Sequence, residues 1–209
     1  MKLAVFGAAG GTGRHIVDSA LQRGHHVTAV VRRPDAVPDR TRPGLSVTRG
    51  DVRDAAGLPA AIAGHDAVIS AIGIRRGKPD GLYSRGTAAI VDAMRLSDVS
   101  RLLCVSSSGV APDDPGLPWW YRRLLIPLAL RELYQDMAAM EATVRDSGLA
   151  WTLVRASYLN DRAGQGALQV LDGRQPPGRW RLTRTDLADF IVDEAENDRW
   201  VHRTPTLAQ

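Results

Sequence analysis

Residues 2–13 read Lys-Leu-Ala-Val-Phe-Gly-Ala-Ala-Gly-Gly-Thr-Gly, an apolar run that passes directly into a cluster of glycines. The run Lys2–Phe6 predicts a buried strand, and residues 12–23 carry their apolar side chains on one helical face before ending at Gly24. Glycines between a strand and a helix let a phosphate approach the backbone, where the helix N-terminus offers free N–H groups and partial positive charge. The stretch therefore predicts a dinucleotide-binding turn. Its candidate cofactor residues are Gly7, Ala9, Gly10, Gly11, Thr12, Gly13 and Arg14.

Strand and helix patterns alternate along the rest of the chain. Strands are predicted at 26–31, 45–48, 66–71, 101–105 and 151–154, and helices at 55–63, 84–96, 136–147 and 186–196, the last one capped by Thr185. This alternation predicts an α/β fold, a doubly wound parallel sheet of the Rossmann type, as a single domain over residues 1–209. Stretches 111–133 and 157–183 interrupt the rhythm after strand ends, where such sheets bind ligands. We expect them to form the substrate side of the domain.

Composition narrows the class of protein. The 209 residues are 44% hydrophobic and 24% charged, which excludes disorder, collagen and coiled coil. The net charge is +4, and only Lys2 and Lys78 are lysines. The arginines are dispersed without a run of five like charges, so nucleic-acid binding is disfavoured.

The cellular location is predicted from the single cysteine and from the lack of a membrane span and of a secretory signal, and a metal site is not expected. The single cysteine, Cys104, lies in an apolar run and is expected to be a buried thiol in a reducing compartment. No apolar stretch approaches the roughly 20 residues of a membrane span, and the glycine-rich start does not resemble a secretory signal. The five histidines show no metal-ligand spacing. We expect a cytoplasmic protein without a metal site or membrane contact.

The end of the second strand predicts which nicotinamide cofactor is bound. An acidic residue there binds the ribose 2′-hydroxyl of NAD, whereas arginine accommodates the 2′-phosphate of NADP. This strand runs into Arg32 and Arg33, whose planar guanidinium groups suit a phosphate. NADP(H) is therefore the expected cofactor. Further contacts are expected from residues after the third and fourth strands, namely Asp51 and Val52 beside the adenine, and Ala71, Ile72 and Gly73 beside the ribose and pyrophosphate.

Taken together, these motifs resemble those of the atypical short-chain dehydrogenase/reductase group. They are Gly7-x-x-Gly10-x-x-Gly13, Val-Arg-Arg after the second strand, Gly50-Asp51-Val52, and the segments 147–155 and 185–190. The resemblance covers essentially the whole chain, and in length the chain is most similar to the flavin reductase/biliverdin-IXβ reductase family, with NmrA-like proteins as relatives. It implies an NADPH-dependent, two-electron reduction of a flat conjugated acceptor such as a flavin, a bilin or a quinone-like molecule.

The acid–base pair of orthodox short-chain dehydrogenases, Tyr-x-x-x-Lys, is absent. The residues four positions after the four tyrosines are Thr87, Leu125, Ala138 and Arg162. This argues against a general alcohol dehydrogenase and fits the reductase family, which lacks that pair. A proton would then come from solvent.

Candidate catalytic residues follow the fifth and sixth strands. Ser107 matches the position of the family's active-site serine, and a hydroxyl there can bind the nicotinamide carboxamide or a substrate carbonyl. Ser106 is a candidate cofactor contact, although these serines could simply end a strand. Tyr158 stands where the family often has a histidine, and Met137 replaces a polar residue of the bilin reductases, which puts a histidine-assisted step and bilin specificity in doubt.

An aromatic segment supplies the candidate substrate residues Trp119, Trp120 and Tyr121, to which Tyr158 is added. Beside Arg122 and Arg123, these rings suit a lid that stacks on a planar anionic substrate. A packed loop or a dimer contact is an equal alternative, so the protein is expected to be a monomer or a homodimer.

The sequence thus predicts an NADPH-dependent oxidoreductase that reduces a small planar molecule. Two alternatives remain open. One is a redox-sensing regulator that binds NADP without turnover. The other is a biosynthetic tailoring enzyme for a larger aromatic or polyketide-like substrate, in which residues 111–133 shape the pocket.

Overall fold

A mostly parallel β-sheet flanked by helices organises the chain in a computed structural model that describes residues 1–74, 77–162 and 167–209. The strands are β1 Lys2–Phe6, β2 His26–Val31, β3 Leu45–Arg49, β4 Ala67–Ser70, β5 Arg101–Ser107, β6 Ala150–Ala156, β7 Tyr158–Asn160, β8 Gln169–Asp172, β9 Arg181–Thr183 and β10 Pro205–Ala208. The helices are α1 Gly11–Gln22, α2 Leu58–Ile62, α3 Ser84–Leu96, α4 Arg131–Arg145 and α5 Arg184–Asn197.

Eight of these strands form one sheet in the order β3-β2-β1-β4-β5-β6-β10-β8. Neighbouring strands of this sheet are parallel, except for β8, which runs antiparallel to β10. The chain leaves β3 and returns to the other side of β1 as β4, so the strand order reverses between β1 and β4. The predicted doubly wound α/β fold is confirmed, and the crevice at such a reversal is where these sheets bind ligands. The sheet takes strands from residues 2 to 208, while the single domain over residues 1–209 stays a prediction.

Alternating side chains of the central strands supply two apolar cores, one on each face of the sheet. On β1, Leu3 and Val5 pack with the buried faces of α1 and α5. Ala4 and Phe6 pack with α2, α3 and α4 on the opposite face. Cys104 is fully buried in this second core, and burial raises the pKa of its thiol to about 12. The prediction of a buried core thiol is confirmed.

Several predicted boundaries were wrong. Helix α4 begins at Arg131 rather than at residue 136, and it follows a wide π-type helical segment, Tyr121–Leu130, that contains Pro127. Strand β10 was not predicted. Thr183 rather than Thr185 caps α5, since its hydroxyl accepts the Asp186 N–H at 3.1 Å. Because β9 pairs with β7, the backbone stays in an extended conformation as far as Thr183, and the helix can start only after that residue.

A buried ion pair connects the amino end of β5 to α5. The Arg101 guanidinium donates to Glu194 Oε1 at 2.8 Å and to Asp198 Oδ1 at 2.6 Å. The same Glu194 oxygen accepts the Thr152 hydroxyl of β6 at 3.1 Å. The two central strands and the last helix are therefore joined by polar contacts as well as by apolar packing.

Candidate functional site

The glycine turn after β1 is packed too tightly for side chains. Gly7 has a φ of +76°, and a Cβ added there would lie 2.3 Å from the Ala71 carbonyl oxygen. A Cβ on Gly13 would lie 2.1 Å from the Gly7 carbonyl oxygen, which also accepts the Gly10 N–H at 2.8 Å. Glycine is thus required at both positions, because the turn, the start of α1 and the end of β4 approach each other closely.

The amino end of α1 has the properties of an anion site. The helix begins at Gly11 without a side-chain cap, and its first turn contains no acidic residue. Its first N–H groups therefore keep their hydrogen-bonding capacity and their share of the helix dipole. Backbone N–H groups at a helix N-terminus, at the point where the strand order reverses, can bind the phosphates of a dinucleotide.

Three arginines that were predicted to bind phosphate are exposed. Arg14 lies in the first turn of α1, and Arg32 and Arg33 follow β2 directly. Within residues 1–74, 77–162 and 167–209, we find no ion pair for any of the three. Their guanidinium groups can therefore meet an anion without first leaving a carboxylate.

The remaining predicted cofactor residues border the same edge of the sheet. The Asp51 carboxylate accepts the Arg53 N–H at 3.0 Å, and Val52 packs so closely on α3 that a Cβ on Gly86 would lie 2.8 Å from it. After β4, the Ala71 N–H donates to the Phe6 carbonyl at 3.0 Å. Ile72 packs against the core, and Gly73 is exposed. Their contacts to a cofactor stay predictions.

One arginine at this turn was missed by the sequence reasoning. The side chain of Arg184, the first residue of α5, lies so close to the turn that a Cβ on Gly11 would be 3.0 Å from its Nε. Its Nη1 donates to Asp161 Oδ1 at 2.7 Å. The two residues are distant from the glycines in sequence, so no local pattern could reveal the contact.

Ser107, at the carboxyl end of β5, belongs to a chain of hydroxyl groups. Its Oγ donates to Tyr134 Oη at 3.4 Å and accepts the Gly109 N–H at 3.3 Å. The Tyr134 hydroxyl is in turn hydrogen-bonded to the Tyr121 hydroxyl. Burial is the main cause that raises the pKa of the Tyr121 phenol, followed by its contact with Tyr134, so Tyr121 stays neutral at physiological pH. The arrangement is a chain of hydroxyl groups that can hold and donate protons.

Tyr134 is a second residue that the sequence reasoning did not select. It was passed over because Ala138, rather than a lysine, follows it by four residues. Its ring lies against Gly109, where a Cβ would approach the ring carbon Cζ to 2.2 Å. Glycine at this position therefore lets the Tyr134 hydroxyl reach Ser107.

Ser106, the preceding residue of β5, also contacts α4. It is buried, and its hydroxyl donates to Glu141 Oε1 at 2.7 Å. Burial alone would raise the pKa of Glu141, but hydrogen bonds and charge from Arg155, aided by Ser106 and Arg145, hold it below its usual range. The Ser106 side chain is thus committed to a buried ion pair, and any contact with a cofactor would have to use its backbone.

Four aromatic rings from the two interrupting stretches are in successive contact. Tyr121 meets Trp120 with ring centroids 5.8 Å apart, Trp120 meets Trp180 at 5.9 Å, and Trp180 meets Tyr158 at 5.4 Å. We call these four residues the aromatic row. Trp180 was not among the predicted residues, whereas the predicted Trp119 lies outside the row and is 67% exposed. Stretches 111–133 and 157–183 are therefore in contact, although residues 163–166 of the second lie outside the described part of the chain.

A polar contact reinforces this meeting of the two stretches. Asp114 Oδ2 accepts the Gln175 N–H at 2.6 Å, and the Gln175 side chain accepts the Ser157 hydroxyl at 2.9 Å. Both hydrogen bonds are at least partly buried. The aromatic row is thus supported by hydrogen-bonded loops.

Neither a metal site nor a membrane-spanning helix is found in the described residues. In those parts of the chain, no group of three or more His, Cys, Asp or Glu side chains is arranged to hold a metal ion. None of the helices found there combines the length and apolarity needed to cross a bilayer.

Known proteins are similar to this chain over nearly its full length. It is 30% identical over 219 residues to oxidoreductase stcQ of Emericella nidulans, covering 93% of this chain and 77% of that one. Among solved structures, a short-chain dehydrogenase/reductase of Veillonella parvula in complex with NADP superposes with a TM-score of 0.86 at 16% identity, over 100% and 94% of the two chains. A candidate NADH-flavin reductase of Streptococcus pneumoniae superposes with a TM-score of 0.79 at 24% identity, over 100% and 99%.

These two superpositions establish the Rossmann fold. The family model described as NAD(P)H-binding matches residues 7–198, from the first glycine of the turn to the end of α5. The glycine motif, the tight turn that it forms and the similarity of the whole chain therefore agree. This chain belongs to the NAD(P)H-binding family of oxidoreductases.

Proposed function

We propose that this protein is an NADPH-dependent reductase of the atypical short-chain type, which transfers two electrons to a planar conjugated acceptor such as a flavin, a bilin or a quinone. The observation that carries the proposal is the aromatic row. Its residues belong to the stretches that follow β5 and β6, and the glycine turn follows β1, so all of them come after the carboxyl ends of parallel strands. Flat rings offer stacking surfaces to a flat acceptor at little entropic cost.

The preference for NADPH is supported by charge at the end of β2. Arg32 and Arg33 are exposed there, and the first acidic residue beyond them is Asp35. A 2′-phosphate is favoured by this arrangement, whereas the ribose of NADH lacks its usual acidic partner. We expect NADPH to bind more tightly than NADH.

The residues of the chain would mainly orient the reaction. The bound nicotinamide supplies the hydride, which is chemistry that the protein itself does not perform. The Ser107 hydroxyl donates to Tyr134, so its oxygen would accept the N–H of the nicotinamide carboxamide, or its proton would turn from Tyr134 to an acceptor oxygen. Tyr158 is 60% exposed and is available to stack on the acceptor or to donate a hydrogen bond to it. Solvent would supply the proton, since no lysine replaces Ala138 beside Tyr134.

The experiment is a steady-state assay of NADPH oxidation with flavin mononucleotide, biliverdin and a soluble quinone as acceptors. We expect turnover with at least one acceptor and a rise in its KM for Trp180→Ala and Tyr158→Ala. Leu96→Ala, which removes an exposed side chain at the end of α3, outside both stretches, serves as the control and should leave KM unchanged. Absence of NADPH oxidation with all three acceptors would contradict the proposal.

The two alternatives make different predictions in the same experiment. A redox-sensing regulator would bind the dinucleotide without turnover of any acceptor. A tailoring enzyme would reduce larger aromatic or polyketide-like substrates in preference to the three acceptors. A cytoplasmic location and a monomeric or homodimeric state remain predictions, which fractionation and light scattering would test.

A further inference from the structure

Arg184 occupies an unusual position for a cation. It begins α5, yet its side chain lies across the turn that begins α1, with Nε 3.0 Å and Cζ 3.7 Å from where a Gly11 Cβ would stand. A side chain at position 11 would crowd the guanidinium, and the glycine leaves it room. The last helix of the sheet thus places a charged group over the first phosphate-binding turn.

Arg184 and the amino end of α1 are both positive, so their closeness requires a nearby anion. The amino end of α1 carries partial positive charge, its first turn has no acidic residue, and Arg14 adds a second cation. Arg184 is only 24% exposed on its side chain, so water screens this repulsion incompletely. This position therefore favours a negatively charged group beside Arg184.

Asp161 is the carboxylate that meets Arg184. Its Oδ1 accepts from Nη1 at 2.7 Å, but the Asp161 side chain is 76% exposed. Such an exposed partner contributes little to stability and can be displaced at small cost. The Nη1 donor is therefore held toward the turn by an ion pair that is easily exchanged for a stronger anion.

From these contacts we infer that Arg184 binds the diphosphate of the dinucleotide from above, opposite the N–H groups of α1, and that Asp161 holds the guanidinium in place until the diphosphate replaces it. The inference rests on the family's dinucleotide binding and not on the proposed acceptor. Because NADPH and NADH share the diphosphate and differ only in the 2′-phosphate, Arg184 acts on both cofactors alike, whereas Arg32 and Arg33 act on NADPH alone.

The test is equilibrium titration of the full-length protein with NADPH and with NADH, followed by nicotinamide fluorescence and without any acceptor. Arg184→Ala should weaken both cofactors by the same factor, roughly 10- to 100-fold, as expected for a charge-assisted hydrogen bond. Arg32→Ala should weaken NADPH only. Arg203→Ala, an exposed arginine at the amino end of β10, is the matched control and should change neither affinity.

Asp161→Asn tests the second half of the inference. It removes the competing charge and should tighten the binding of both cofactors several-fold, while Arg184→Lys should recover only part of the affinity lost in Arg184→Ala. Circular dichroism of each variant shows that the fold is retained. Unchanged affinities in Arg184→Ala, a loss confined to NADPH, or weaker binding in Asp161→Asn would overturn the inference. Since no acceptor is present, failure of the proposed reductase activity would not produce any of these results.

Discussion

The buried carboxylate of Glu141, on α4, tests how much a buried ion pair contributes to the stability of the fold beside the candidate site. The side chain is 1% exposed and accepts hydrogen bonds from Arg155 Nε at 2.8 Å and Nη2 at 2.7 Å. It also accepts from Ser106 and from Arg145, each at 2.7 Å. The substitution Glu141→Leu replaces this carboxylate by an apolar side chain of similar size.

The magnitude follows from what the substitution leaves behind. The Arg155 side chain is 11% exposed and would lose its carboxylate, and a buried ion pair broken on one side costs about 3–5 kcal/mol. For a chain of this size each kcal/mol lowers Tm by about 2–4 °C, so the expected loss is roughly 6–20 °C. Removing both charges should cost much less, because an apolar pair of similar volume is often neutral. The double variant Glu141→Leu/Arg155→Met should therefore recover most of the lost stability.

The assay is urea unfolding followed by circular dichroism, completed as a double-mutant cycle with Arg155→Met. The control is Glu132→Gln, which breaks the exposed pair with Lys78 and should change the free energy of unfolding by less than about 1 kcal/mol. If the double variant were as unstable as Glu141→Leu alone, the unpaired charge would not be the cause of the loss. A stabilising role of the ion pair between Glu141 and Arg155 would then be refuted.

Three further outcomes are expected from single residues. Gly13→Ala should destabilise the protein by several kcal/mol and weaken dinucleotide binding, because its Cβ would lie 2.1 Å from a carbonyl oxygen, whereas Gly57→Ala meets no atom within 4 Å and should be tolerated; equal effects in thermal melts would contradict this. Thr183→Ala should cost about 1 kcal/mol through loss of the α5 cap, and Thr185→Ala should cost less in the same urea titration. The wild type should lose stability as the pH falls through the ordinary glutamate value of 4.5, since the folded-state pKa of Glu141 is lower and only the unfolded chain takes up the proton there. Glu141→Gln should lose less over this interval, and an equal acid slope would exclude Glu141 as the source.

Local patterns were sufficient for the parts of the fold that are determined locally. The glycine turn, β1 and the alternation of strands and helices follow from residues that are adjacent in sequence. Strand β10 was missed because its four residues carry no distinctive pattern and are buried only through pairing with β6 and β8. The choice of Thr183 over Thr185 as a cap likewise depends on a distant strand pairing.

The site was predictable to the same extent and for the same reason. Ser107 and the glycines stand at strand ends, where the sequence order predicts their position. Tyr134, Trp180 and Arg184 reach the site from three separate elements, and their contacts with Ser107, Tyr158 and Gly11 join residues that are far apart in the chain. Only the folded arrangement brings such residues together.

The buried pair between Arg101 and Glu194 has a consequence for how this protein can diversify. It lies at the edge of the sheet opposite the glycine turn and joins β5 to α5, while the aromatic row belongs to connections at the other edge. Natural variation or engineering can thus exchange the connections, and with them the acceptor, without disturbing the polar contacts that anchor the framework. The architecture is modular in the sense that matters for grafting. Residues 111–130, before α4, and 173–180, between β8 and β9, are the segments to transplant between relatives, and the Arg101–Glu194 pair is the part of the host to leave intact.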